Sequence, residues 1–156
     1  MENELEVVNI RLVKEPSLYS EQILDSPQAV VELMGKLSQY DREVFCILNM
    51  KNNGQIINMN LVSEGTINAS LVIPREVFKS SILVNASAII GLHNHPSGNV
   101  KPSKEDMIVT RKLQKCGQLL GIELLDHIIV GGTNGKMLSF REEKMLNVTE
   151  KSINER

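Results

Sequence analysis

The sequence has no tryptophan, and phenylalanine and tyrosine supply only 3% of its 156 residues. A core without large rings must be aliphatic, built from Ile, Leu, Val and Met. The same scarcity removes the stacking platforms on which single-strand nucleic-acid binders rely. Cysteine is almost absent. Cys46 and Cys116 have no partners at metal-site spacing and lie in apolar patterns, so they are expected to be small buried hydrophobes in a reducing compartment. Neither sign of charge dominates: 17 Lys plus Arg against 19 Asp plus Glu leave −2, without the broad basic footprint of a dedicated nucleic-acid binder. The longest apolar run, around residues 86–92, is far shorter than the roughly 20 residues that cross a bilayer. Met1-Glu2-Asn3-Glu4 is acidic and leads into no apolar signal core. A cytoplasmic protein with no membrane partner is expected.

The length excludes a (β/α)₈ barrel, which needs about 250 residues. A chain of this size hides roughly two-thirds of its unfolded surface and needs no disulfide or metal merely to fold. One domain is expected over residues 1–146, followed by a polar tail, 147–156.

Residues 5–13 (LEVVNIRLV) partly alternate and read as a first strand. Ser26 and Pro27 suit the cap and first position of a helix in which Ala29, Val30, Leu33, Met34 and Leu37 recur at helical spacing. The apolar run 43–50, the turn Asn52-Asn53-Gly54 and the segment near 55–64 read as a hairpin. A short strand is expected at 66–73, and a helix from Pro74 to about Leu83. Residues 86–93 are apolar on both faces, the signature of a central, doubly covered strand. A helix from Ser103 to Leu120 is closed by Gly121. Strands at 122–131 and 136–140 complete an α/β sandwich around a mixed sheet.

Chemistry concentrates in the three histidines. His93 and His95 are two apart at the end of the central strand, so both leave the same face and can share one ion. Gly91, two residues earlier, is expected to leave space beneath them. Pro96, Ser97 and Gly98 turn the chain away. Ser103 is a natural N-cap, and Asp106 then takes the third helical position, where it can simply complete a capping box. Asp106 also heads the inward stripe Val109, Leu113, Cys116 and Leu120. A carboxylate so placed points at the sheet and needs a cation or several hydrogen bonds. Zinc held by His93, His95 and Asp106 would supply that partner and keep a fourth position for water, the layout of a catalytic zinc site. His127 reads as a satisfied histidine or a group supporting the ligands, with Leu125 and Ile129 on its face and Leu124, Asp126 and Ile128 opposite. Asp126 reads as a structural acceptor, Asn94 as a tie for the loop, and Ser97 as a turn closer or a substrate contact.

The string His93-x-His95, seven residues, Ser103, two residues, Asp106 resembles the JAMM motif of the MPN+ metalloproteases. The fuller phrases, His93-Asn94-His95-Pro96-Ser97-Gly98 and Pro102-Ser103-Lys104-Glu105-Asp106, resemble the RadC branch of that superfamily, whose members are named bacterial DNA-repair proteins. The segments Gly65–Ser70, Pro74–Phe78 and Leu125–Gly131 agree, and the resemblance covers roughly residues 25 to 141. It implies an MPN/JAB-like (cytidine-deaminase-like) fold and a zinc hydrolase with one Zn²⁺ per chain acting on a peptide or protein substrate. It implies Glu43 as general base and Ser103 as a donor to the oxyanion. The residues alone do not separate Glu43 from Glu64 or Glu76. Many RadC proteins carry an N-terminal helical module resembling helix-hairpin-helix domains, for which these 156 residues have no room. A nucleic-acid accessory role is the alternative, with Lys101, Lys104, Arg111, Lys112 and Lys115 as its positive charge.

Overall fold

The computed structural model describes residues 5–13, 32, 35–65, 67, 72–132 and 135–146. Five strands form one sheet: β1 (Val44–Met50), β2 (Ile56–Glu64), β3 (Ala88–His95), β4 (Glu123–Gly131) and β5 (Met137–Ser139). Helices α1 (Pro74–Leu83) and α2 (Lys104–Leu120) interrupt them. The spatial order is β2-β1-β3-β4-β5, with β3 and β4 parallel and the other pairs antiparallel.

The hairpin forms because Lys51 and Gln55 close the turn through a 2.8 Å backbone bond while Gly54 takes a φ of +84°, open to glycine at little cost. β3 lies at the centre, as its two apolar faces require. On one face Phe45, Ile47, Ile89 and Leu124 pack with Val77 and Phe78 of α1 and Val109 and Leu113 of α2. On the other, Val44, Cys46, Leu48, Leu92, Ile128 and Val130 pack with Leu37, from a helical turn at residues 35–37. The sheet is thus covered on both sides, the expected mixed-sheet α/β sandwich.

Several expectations need correction. Residues 5–13 have no strand pairing and are exposed, Leu5 and Val7 by 90% and 89%. Alternation makes a strand only where a neighbour completes the ladder, and this segment pairs with none of the described residues. In α2 the buried face is Asp106, Val109, Thr110, Leu113, Gln114 and Gly117, while Leu120 is 48% exposed. The turn at Gly121 brings Ile122 back beside Gly117, and Ile122 fills the place expected for Leu120. In β4 the register slips at Leu125: Ile89 pairs with Leu124, but Ile90 pairs with Asp126. This bulge puts Leu124 on the helix-covered face and Ile128 on the other, so strict alternation fails there. The expected strand at 66–73 lies largely outside the described residues; of its members 67, 72 and 73 are described, and none is in a strand. Most of the helix expected from Ser26 and all of the tail 147–156 also lie outside them.

Candidate metal centre

His93 sits on β3 opposite Phe45 of β1 and Ile129 of β4, enclosed by ladders on both sides. His95 ends the strand, and a turn begins at once, Gly98 N donating to His95 O at 2.9 Å. Ser97 closes that turn, its Oγ accepting from Asn99 N at 3.3 Å. α2 then starts with a complete capping box. Ser103 Oγ accepts from Asp106 N at 3.0 Å, and Asp106 Oδ2 accepts from Ser103 N at 2.8 Å. Capping and inward direction are therefore compatible: the carboxylate that ties the helix start also faces the histidines.

All three side chains are buried, His93 fully and Asp106 to 2% exposure. His93 Nε2 and His95 Nε2 are 2.9 Å apart, and they lie 3.3 and 3.1 Å from the two Asp106 oxygens. Donors around a tetrahedral ion at 2.0–2.1 Å would be separated by about 3.3 Å, and each of these contacts is of that order, the two histidines facing different oxygens of the carboxylate. The protonation pattern supports the same reading. His95 Nδ1 meets the carbonyl oxygen of Asn99 at 2.7 Å, and a carbonyl can only accept. The neutral His95 ring therefore carries its proton on Nδ1 with its Nε2 lone pair facing the Asp106 carboxylate, and a second proton on Nε2 would be donated to that carboxylate. Electron pairs converging in a buried space need a proton or a metal cation between them. Two imidazole nitrogens and one carboxylate oxygen are a donor set suited to a divalent transition metal.

Charge is redistributed accordingly. Burial pushes the Asp106 carboxyl upward, but hydrogen bonds accepted from His93 and His95 when their Nε2 atoms carry protons outweigh this and hold it well below the usual carboxylate range. His95 is raised, chiefly by its hydrogen bond to Asp106, against burial.

The expected space under the pair at Gly91 is filled. A Cβ there would lie 3.3 Å from the Phe45 ring and 3.6 Å from His127, so the glycine admits these rings instead of a ligand. His127 is buried and joined to the cluster. Its Nε2 lies 2.8 Å from His93 Nδ1, its Nδ1 lies 2.6 Å from Thr110 Oγ1, and Phe140 stacks on its ring at 4.6 Å. Burial, then the His93 charge, depress its pKa well below the ordinary value. Asp126 is a structural acceptor, taking hydrogen bonds from Ser139 Oγ, His127 N and Arg141 N. Asn94 ties down the approach to β1: its Oδ1 accepts from Val44 N at 2.7 Å and its Nδ2 donates to Arg42 O at 2.9 Å.

Glu43 immediately precedes β1. Phe45 pairs with His93 in antiparallel register, so Glu43 falls level with His95, on Phe45's side of the sheet. One carboxylate oxygen accepts from Ile67 N at 2.8 Å, and the charge is close enough to contribute to the rise of His95. Glu76 is engaged elsewhere, by Lys79 at 2.8 Å on the surface of α1. Glu64 is exposed at the end of the edge strand. Ser103 is exposed at the mouth of α2. Three participants escaped the sequence reading. Thr110 carried a faint signal, a polar residue beside the apolar stripe and one turn from Asp106. Phe140 and the Asn99 carbonyl carried none, because their roles depend on tertiary approach.

Comparison with known proteins identifies the family. The family model described as "RadC-like JAB domain" matches residues 24–145. A "UPF0758 protein" of Staphylococcus carnosus is 44% identical over 128 residues, covering 81% of this chain and 56% of the relative. A "UPF0758 protein" of Desulfitobacterium hafniense is 43% identical over 125 residues, 80% of this chain and 54% of the relative. One from Methanosarcina mazei is 45% identical over 121 residues, 77% and 52% respectively. The chain spans about half the length of the curated relatives it matches. A match across most of its residues, the buried histidine–aspartate cluster among them, makes this chain a member of the RadC-like JAB domain family.

Proposed function

We propose that this chain is a zinc-dependent hydrolase that cleaves a peptide or isopeptide bond in a protein substrate, with one Zn²⁺ per chain held by His93, His95 and Asp106. The observation that carries the reading is the convergence of His93 Nε2, His95 Nε2 and the Asp106 carboxylate within 3.3 Å of one another in a buried space. Held by His93, His95 and Asp106, such an ion would supply Lewis acidity, making hydroxide available near neutral pH and polarising the scissile carbonyl. The protein's own residues do the rest. Glu43, level with His95 and anchored through one oxygen by Ile67 N, keeps its other oxygen to take a proton from the attacking water and return it to the leaving amine. The Ser103 hydroxyl accepts from Asp106 N and still has its own hydrogen to donate to the developing oxyanion.

The test is hydrolysis of lysine-isopeptide and linear peptide substrates by zinc-loaded protein. Glu43→Gln keeps an acceptor for Ile67 N, so it should retain zinc and lose roughly 10²–10⁴-fold in turnover. Turnover unchanged in Glu43→Gln would remove Glu43 from the reaction.

A nucleic-acid accessory role is the second reading, favoured by one observation: Lys101, Lys104, Arg111 and Lys115 are all exposed on or beside α2. DNA affinity that falls steeply with salt would support it, and no binding at low salt would count against it.

A further inference from the structure

The path of hydrogen bonds behind His93 fixes where its proton lies. Thr110 Oγ1 is 2.7 Å from the backbone carbonyl of Asp106, which can only accept. The single hydroxyl hydrogen of Thr110 is committed there. Thr110 Oγ1 is also 2.6 Å from His127 Nδ1, so that contact must be donated by His127. His127 is 1% exposed and has no carboxylate among its hydrogen-bond partners, so it carries one ring proton. Its Nε2 is then a lone pair, and the 2.8 Å contact to His93 Nδ1 must be donated by His93.

We propose that Thr110 and His127 form a tautomer lock: the run His93 Nδ1–H, His127 Nε2, His127 Nδ1–H, Thr110 Oγ1, Asp106 O keeps the single proton of the neutral His93 ring on Nδ1, away from the site, so that Nε2 presents its lone pair. The run starts on one candidate ligand and ends on the main chain of another, so it also couples the strand histidine to the helix aspartate. His95 achieves the same end with a single carbonyl, that of Asn99. His93 lies in the middle of the sheet, where the ladders consume the neighbouring backbone carbonyls, and it needs a side-chain intermediary. The Phe45 and Phe140 rings on either side of His127 hold it in plane for the task, Phe140 nearly parallel at 14° and Phe45 edge-on at 78°. His127 and Thr110 are positioning residues; neither needs to touch a substrate. The purpose of the lock rests on the metal-site reading, but its existence does not.

The experiment reads the ring tautomers directly by long-range ¹H–¹⁵N correlation on the zinc-free full-length chain at mildly alkaline pH. Only three histidines have to be assigned. His93 and His127 should both be in the Nδ1–H form. Thr110→Val keeps the shape and removes the acceptor. His127 then gains by moving its proton to Nε2, which drives His93 to Nε2–H and blocks its ligating atom. His93 should change tautomer, and zinc affinity should fall about 10–100-fold. Thr110→Ser, which restores the hydroxyl, should recover both. A merely structural threonine would alter stability and leave the tautomers and zinc affinity where they were. An Nε2–H His93 in the wild-type protein overturns the proposal, whether or not Thr110→Val folds. So does a Thr110→Val protein with unchanged tautomers. If the expected tautomers are found but zinc does not bind, the lock stands and the metal reading fails.

Discussion

Gly117 offers a case in which two well-understood effects oppose each other and the structure decides the sign. It lies in the last turns of α2, and replacing a helical glycine by alanine ordinarily stabilises by about 1 kcal/mol. Here a Cβ would sit 2.3 Å from the carbonyl oxygen of Ile122. Backbone cannot swing aside as a side-chain tip can, so the end of α2 and the start of β4 must separate by close to an ångström. That forfeits the 2.9 Å bond from Ile122 N to Gly117 O, worth about 1 kcal/mol, and strains the contact by about 1–3 kcal/mol. Strain and the lost bond exceed the propensity gain, and Gly117→Ala should lose about 1–3 kcal/mol. Gly35 is the internal control. It is helical, and a Cβ there would meet nothing within 4 Å, so Gly35→Ala should gain up to about 1 kcal/mol. Urea unfolding followed by far-UV circular dichroism measures both. A Gly117→Ala protein as stable as the Gly35→Ala protein would refute the packing argument, because the two changes are chemically identical and differ only in their surroundings.

Further expectations concern protons. The His95 pKa is raised by Asp106, so the stability from that pairing in the zinc-free protein is full below about pH 6.5 and is lost as pH rises through the folded-state value. The Asp106 carboxyl is depressed, so its share is present above about pH 4 and disappears as pH falls. A metal must displace the His95 proton, so zinc affinity should drop up to tenfold per pH unit below that raised pKa, with proton release visible in calorimetry in buffers of differing ionisation enthalpy; pH-independent affinity would contradict the assignment. Burial pushes the Cys46 thiol up to about 12, whereas an unfolded cysteine ionises near 8.5. Stability should therefore fall by up to about 1.4 kcal/mol per pH unit on the alkaline side between those values, and Cys46→Ala should flatten that limb. An identical limb in both proteins would mean that the thiol is not sealed in the core.

The sequence made local, repetitive and capped features legible. The hairpin around Gly54, the Ser103 cap, the Gly121 stop and the two-faced apolar β3 depend on patterns within a few residues, and the structure has them where those patterns lie. The convergence of the candidate cluster was legible for the same reason: alternation puts His93 and His95 on one face, and a cap position aims Asp106 inward. What failed depended on partners distant in sequence. The segment 5–13 alternates but pairs with no strand among the described residues. The bulge at Leu125 exchanges the faces of β4, and alternation alone cannot signal an inserted residue. Ile122 displaces Leu120 only because the Gly121 turn folds it back. The Thr110–His127 contact joins a helix to a strand, and neither residue signals the other. Gly91 shows the limit of reading space from a small residue, since a gap in the side-chain pattern was filled by Phe45 and His127.

The central claim is that His93, His95 and Asp106 hold one divalent ion, and the most direct measurement is the metal content of the purified chain after equilibration with zinc and removal of excess. The expected result is close to one zinc per wild-type chain and almost none in folded His93→Ala or Asp106→Ala protein. A wild-type chain that retains no divalent metal would contradict the account.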